Sequence, residues 1–438
     1  MLLQRANAGA GRHAVARAGF WRLSAAGASI LLGFCSTLLV ARALGPGIFG
    51  QYAFALWLAT AAAPAAGVSI CGLTSRVVAG IQSREKPQVA AGIFYFVLRQ
   101  HCHKIALYYL LYLLLIVPCT RFFGANATLT LLLLVGLSVF PLLTGGIVNV
   151  TLRSSRRFDL LAANHLLGAA ITLLLVLLSL QSTTAGIDQA YLFLLITAVA
   201  GIVMFFTSLF CVSKLLPLRQ AREPGEELKQ QLRRSLRNAR LPVLLDAIVW
   251  QHAELIALGR ARSAADLGYY MLCVLISGRV MQAIPALYTT CVLPLRFGVM
   301  PGRCSTNAAD ANRRTTLGLA WLAILVCAPG IAFCPAIIVW CFGAAYLPVV
   351  TPLRILLAAA VVGSISSASV TRLSHEERKR VQTWLSVAGA AVILALALPL
   401  IAFTGVTGAA IASAIGQCVC ATGTMFICAR NMRPRKAS

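Results

Sequence analysis

Asp246 and Glu254 stand eight residues apart in one apolar stretch, and Arg279 lies in the next. A charged side chain in such surroundings is costly unless it meets a partner or water. On one continuous helix of 3.6 residues per turn, a spacing of eight puts the two carboxylates within about 80° of each other. Gln282, three residues beyond Arg279, shares its face. Arg42, Arg260 and Arg354 mark outer helix ends. Two chemistries suit this set. One is structural, an interhelical ion pair such as Glu254 with Arg279. The other is binding: a hydrated, mixed but arginine-rich lumen that holds an anionic group, because a guanidinium matches phosphate oxygens bidentately. Asn164, His165 and His252 also lie in apolar stretches, and read more simply as packing or hydrogen-bonding residues.

Covalent chemistry finds little support. The chain has no G-x-x-x-x-G-K-S/T cradle for ATP, no G-x-S-x-G elbow and no H-E-x-x-H. Its 12 acidic residues lie mostly in loops, which disfavours paired-carboxylate catalysis. Most of the 14 cysteines sit in apolar runs, where a free thiol behaves as a small hydrophobe. Cys327, Cys334 and Cys341 recur at intervals of seven and read as one packing stripe on a helix face. His101-Cys102-His103 lacks the second pair that a zinc site requires. The expectation is no catalytic residue, no metal and no cofactor. An energy source must then be an ion gradient, the membrane potential or the substrate's own downhill use.

The elements that position these residues follow from composition. Hydrophobic residues make up 59% of 438 positions and charged residues 11%, and mean hydropathy is +0.83. Soluble proteins carry roughly a quarter charged residues, so this chain cannot clothe a water-facing surface. About 20 apolar residues cross a bilayer. Six spans are predicted before a polar linker: Leu23–Ala41, Phe49–Cys71, Ile105–Cys119, Leu129–Val150, Leu160–Leu180 and Ala190–Ser213. Six more follow it: Leu241–Leu258, Gly268–Leu293, Thr316–Phe342, Val349–Val370, Val381–Ala402 and Val406–Ala429. Residues 1–22 form an N-terminal arm, 23–213 a first lobe, 214–240 a basic linker, 241–429 a second lobe and 430–438 a tail. The arm's Arg5, Arg12, Arg17 and Arg22 precede an apolar run long enough to span, so that run reads as a retained first helix.

Charge sets the orientation. The net charge of +26 would suggest nucleic acid in a soluble protein. Here 32 of the 38 Lys and Arg fall in segments that share one side if the N-terminus is cytoplasmic. The positive-inside rule produces that division, so both termini are expected in the cytoplasm and no nucleic-acid partner is expected.

The halves are distant copies. An offset of 218 superposes Arg42 on Arg260, Gly50 on Gly268 and Tyr52 on Tyr270. Prolines follow inside the next span (Pro64, Pro285), and Arg76 and Arg296 end it. The fold class expected is an all-α integral membrane protein of about 12 transmembrane helices, in two six-helix pseudo-repeats around a central cavity.

The motifs resemble a known family. Ala41–Tyr52 carries the pattern A-R-x-L-G-x-x-x-F-G-x-Y. Glu254, Gly259-Arg260 and Gly268-Tyr269-Tyr270 follow in the second half. Phe342–Tyr346, Pro352–Leu356 and Gly405–Ala412 complete an ordered set over Arg22 to about Arg430. Together they are similar to the polysaccharide transporters, the O-antigen and exopolysaccharide flippases of the multidrug/oligosaccharidyl-lipid/polysaccharide exporter superfamily. Ser263 departs from a strict second copy, which would have glycine there.

The resemblance implies a bacterial inner-membrane flippase that carries an undecaprenyl-pyrophosphate-linked oligosaccharide by alternating access. Its partners would be that lipid-linked substrate, membrane lipids and a polysaccharide polymerase or chain-length protein. The alternative is a cation-coupled small-molecule or drug antiporter of the same superfamily, which needs a net acidic lumen. A peptidoglycan-precursor flippase is usually a longer chain. A membrane-embedded glycan ligase or polymerase needs large outer loops, and those here are short.

Overall fold

The computed structural model describes residues 2–62, 87–124, 128–154, 157–182, 184–217, 220, 221, 223, 225–227, 229, 230, 233, 249, 252–288, 308–375 and 379–431. Asp246, Pro64, Arg76, Arg296, most of the seventh predicted span and the tail from 432 lie outside the described residues.

Among the described residues, apolar sequence becomes helix. The first unit, Met1–Leu244, contains α1 (Leu2–Ala62), α2 (Pro87–Phe123), α3 (Leu129–Ser154), α4 (Phe158–Ser179) and α5 (Ile187–Leu215). The second, Leu245–Ser438, contains α6 (Glu254–Ala261), α7 (Ala264–Leu287), α8 (Ala308–Ala332), α9 (Cys334–Phe342), α10 (Val350–His375), α11 (Lys379–Thr404) and α12 (Val406–Asn431). Ten helices among the described residues are long and apolar enough to cross a membrane. One of them, Gly27–Ala61, runs through most of the first predicted span and into the second, whose residues from 63 lie outside the described ones.

Many large apolar side chains are exposed, while several polar groups are buried. Phe403 is 86% and Trp340 83% exposed, and Leu110, Leu113 and Leu114 are exposed along α2. Glu254, His252, Asn164 and Gln417 are buried. Water would penalise that arrangement; a lipid solvent rewards it, since polar groups then find partners only inside the protein.

Breaks in the helices have chemical causes. α1 kinks at Gly45, whose φ of 67° lies in the left-handed region that costs an L side chain strain. Pro46 follows in the first turn of the new segment, where a missing N–H is harmless. At the matching place in the second unit the chain is extended instead, with φ −69° at Ser263. The Ser263 hydroxyl accepts the Asp266 N–H at 3.2 Å and caps α7. Serine therefore suits the second copy where glycine suits the first.

Two predicted spans need correction. The ninth, Thr316–Phe342, is two helices that part at Phe333, with Pro335 opening the second. Cys327 thus lies on α8 while Cys334 and Cys341 lie on α9, so they form no single-helix stripe. The helix that carries the third span begins far earlier than Ile105, at Pro87, because no breaker interrupts the polar turns before it.

The packing repeats between units. In the first, α4 packs on α1 and α5, and α3 packs on α1, α2 and α5. In the second, α11 packs on α6 and α12, and α10 packs on α7, α8 and α12. The patterns correspond when the two segments of α1 are matched to α6 and α7, α2 to α8 and α9, and α3, α4 and α5 to α10, α11 and α12. At the α11–α12 contact the backbones approach closely: a Cβ on Gly416 would stand 3.0 Å from the Gly389 carbonyl oxygen and 2.2 Å from Ile393 Cγ1. Small residues at such crossings allow dense packing in lipid.

Candidate functional site

The second unit holds a buried polar cluster built from α6, α7, α12 and the turn before α6. His252 has φ 61°, unusual for a residue with a side chain. That turn sets its Nδ1 2.9 Å from Glu254 Oε1 and 3.0 Å from Ser413 Oγ. The Tyr270 hydroxyl donates to the same Oε1, and Gln417 Nε2 donates to Ser413 Oγ at 3.2 Å. Glu254 is 1% exposed. Its Oε2 is buried with no hydrogen-bond partner among the described residues.

The position of one proton sets the pattern. If Nδ1 carries hydrogen, it donates to an ionised Glu254, and Ser413 is a second acceptor. If Nδ1 presents a lone pair, Ser413 O–H donates to it, and Glu254 must carry the proton to keep its 2.9 Å contact. The same heavy-atom geometry accommodates both. A buried carboxyl with one unused oxygen is also the costly kind of group that membrane proteins retain at working sites.

This differs from the sequence reading in two ways. Glu254 pairs with His252 and Tyr270, whereas an ion pair with Arg279 was one expectation. The left-handed turn at His252 also interrupts the helix that would have carried Asp246 and Glu254 on neighbouring faces. Ser413 and Gln417 were missed, as two polar residues among many in an apolar helix.

The arginines sit elsewhere. Arg279 and Gln282 are exposed on one face of α7, while Tyr270 and Ser277 are buried. Arg42 is exposed just before the Gly45 kink, and Arg260 is exposed in the last turn of α6. Arg354 is exposed, and its Nε donates to Ile331 O at 3.0 Å, at the end of α8. Arg262, not singled out from sequence, does the same for α11: one terminal nitrogen reaches Ile401 O at 2.6 Å and Ala402 O at 3.0 Å. Carbonyls at a helix C-terminus lack intrahelical donors and carry negative partial charge, so both contacts are favourable.

The first unit has its own polar cluster. Asn164 Nδ2 donates to Ser208 Oγ at 2.6 Å, and the Thr207 hydroxyl donates to Asn164 Oδ1. These bonds tie α4 to α5 and leave Asn164 buried. His101 meets Leu143 O at 2.9 Å, while Cys102 and His103 are exposed. Among the described residues no three His, Cys, Asp or Glu side chains gather as a metal site would need.

Solved structures share this architecture. The lipid II flippase MurJ, in an inward closed conformation, matches at a TM-score of 0.68 and 13% identity, over 93% of this chain and 87% of that one. An inward-facing multidrug resistance MATE transporter of the MOP superfamily matches at 0.62 and 17% identity, over 96% and 100%. The chain has the fold of the MOP-superfamily transporters. A third neighbour, from Pyrococcus furiosus, matches at 0.56 and 15% identity over 97% and 96%, and is described as a MOP transporter whose binding pocket has reverse polarity. No protein-family profile matches the chain. No curated protein matches it either.

Proposed function

We propose that this chain is a flippase that moves an undecaprenyl-pyrophosphate-linked oligosaccharide repeat unit across the bacterial inner membrane by alternating access. The observation that carries this reading is the contrast between Glu254 and Arg279. The carboxylate of the seventh span is buried and bonded to His252 and Tyr270. The guanidinium of the eighth is exposed beside Gln282. A guanidinium within a span does not face hydrocarbon cheaply, so this face of α7 borders a hydrated path. What that path then offers is cationic, suited to a pyrophosphate. The neighbour named as a lipid flippase is consistent with such cargo.

A cation-coupled drug antiporter is the second reading. The unused Glu254 Oε2 favours it, as does the likeness to MATE transporters. The carboxyl would then bind the coupling cation.

Surface glycan separates the two in a strain deleted for this gene and complemented with wild type, Arg279→Ala or Arg279→Lys. The flippase reading expects loss of polymer in the deletion, with lipid-linked repeat units retained on the cytoplasmic face. It also expects no rescue by Arg279→Ala at normal membrane abundance. Wild-type glycan with Arg279→Ala sinks the role given to this arginine. Unchanged glycan in the deletion, together with a lost drug resistance, transfers the case to the antiporter.

A further inference from the structure

The end of α2 that the charge census assigns to the cytoplasm carries a cleft the transport reading does not use. It has a volume of about 530 Å³ and lies between α2 and the segment after α5. Tyr95, Phe96, Arg99 and His103 line it from α2; Lys229 and Arg233 line it from the facing segment. Gln88 Nε2 reaches Gln220 Oε1 at 3.4 Å, and Ala221 packs on the core cluster of Phe94 and Val97, so the two walls are joined.

The charges are sorted inside this cleft. Lys229 bonds Glu223 at 3.0 Å and Glu226 at 2.9 Å. Its hydrogen bond holds the Glu226 carboxyl below the ordinary carboxylate range, so both partners are ionised at neutral pH. Two carboxylates outnumber that one ammonium, and the excess negative charge also acts on Arg233. Arg233 lies 5.6 Å over the Phe96 ring, a contact that orients the guanidinium without satisfying its donors. Arg99 is exposed and has no ion pair among the described residues. Arg99, Arg233 and Lys229 still outnumber Glu223 and Glu226, so the lining stays net cationic, with Arg99 and His103 on one wall and Arg233 on the other.

Depth identifies the ligand's chemistry. The uncharged part of α2 runs from Ile105 to Thr120, which is about 24 Å at 1.5 Å per residue. Centred in about 30 Å of hydrocarbon, it puts Arg99 about 5 Å beyond the boundary, within the headgroup layer. Phosphates lie at that level. Basic pockets at this face of a membrane protein bind anionic headgroups.

We infer that Arg99 and Arg233, with His103, form a binding site for a phosphate group at the membrane surface, and that an anionic phospholipid headgroup supplies it.

The test uses the full-length chain in neutral detergent. Native mass spectrometry measures binding of palmitoyl-oleoyl phosphatidylglycerol and, separately, of inorganic pyrophosphate as a soluble probe. Arg99→Gln and Arg233→Gln are each expected to weaken phosphatidylglycerol binding about tenfold, which is about 1.4 kcal/mol. Arg121→Gln, at the opposite end of α2, removes the same charge and is expected to leave binding unchanged. Thermal midpoints within error of wild type keep misfolding out of the comparison. If only pyrophosphate binding responds to the two substitutions, the site reads a soluble phosphate and the lipid assignment falls. If neither probe responds, or Arg121→Gln weakens both equally, the proposal is overturned. The readout is independent of transport, so it stands or fails apart from the flippase reading.

Discussion

The sharpest prediction concerns Tyr270 and Glu254, because their hydrogen bond is buried and shared with His252. Tyr270→Phe removes the hydroxyl that donates to Glu254 Oε1 and adds nothing in its place. With Glu254 in its ionised form, a hydrogen bond to this charged group contributes about 1.5–3 kcal/mol. The carboxyl loses a donor while its other oxygen is already without a partner, so about 2 kcal/mol is the expected loss. For a unit of about 150–250 residues that is a fall in Tm of about 4–8 °C. Glu254→Gln should behave differently. The amide keeps an acceptor for Tyr270 but carries no charge, so whatever its own cost through the lost partner of His252, the hydroxyl then faces a neutral group. In the Glu254→Gln background, Tyr270→Phe then breaks only a neutral hydrogen bond, about 1 kcal/mol. The double-mutant cycle should therefore show a coupling of about 1 kcal/mol. Thermal unfolding in detergent, followed by far-ultraviolet circular dichroism, measures all four proteins. Equal costs of Tyr270→Phe in both backgrounds would refute the reasoning, since the carboxylate would then be irrelevant to the hydroxyl.

Three other outcomes are expected. Arg279→Lys should restore less surface glycan than wild type but more than Arg279→Ala, because an ammonium retains charge without the bidentate fork; equal failure of both variants refutes a charge-based role. Arg262→Ala should lower stability by about 1–2 kcal/mol through loss of two carbonyl contacts at the end of α11, discounted for partial exposure. An unchanged Tm would mean that water caps that helix equally well. Gly416→Val should cost about 1–3 kcal/mol by pushing α11 from α12, and Gly416→Ala less. A neutral Gly416→Val, read in the same thermal scans, would show that the crossing can relax.

Much of the fold was legible because hydrocarbon imposes a simple rule on sequence. An apolar run must be long enough to cross, and charge must gather between runs. The helices from Leu129 to Leu215 and from Val350 to Asn431 match their predicted spans within a few residues. What escaped were features set by single backbone torsions or by long-range partners. Nothing in Phe333-Cys334-Pro335 distinguishes a break from a kink, since proline is tolerated inside membrane helices as well. The left-handed turn at His252 has no glycine or asparagine to announce it. Ser413 reaches His252 across 161 positions, and a serine in an apolar helix usually bonds its own backbone, as Ser364 does with Ala360.

The internal repeat nevertheless held a signal that periodicity alone did not. Under the offset of 218, Tyr270 falls on Tyr52, Glu254 on Ser36 and His252 on Phe34. In the first unit Tyr52 lies beside Thr197 on α5, and Ser36 returns its hydroxyl to Leu32 O at 2.9 Å. In the second unit the same tyrosine turns to a carboxylate, and a histidine stands where the first has a ring that cannot titrate. Packing explains what two copies share, since both must bury the same helix contacts. It does not explain why only one copy carries a buried acid and a base, a substitution that costs stability at that depth. The residues at which the copies diverge from apolar to ionisable are therefore where chemistry beyond packing is to be sought. By that criterion the His252–Glu254–Tyr270 cluster, more than the arginines at the helix ends, separates the two units in what they can do.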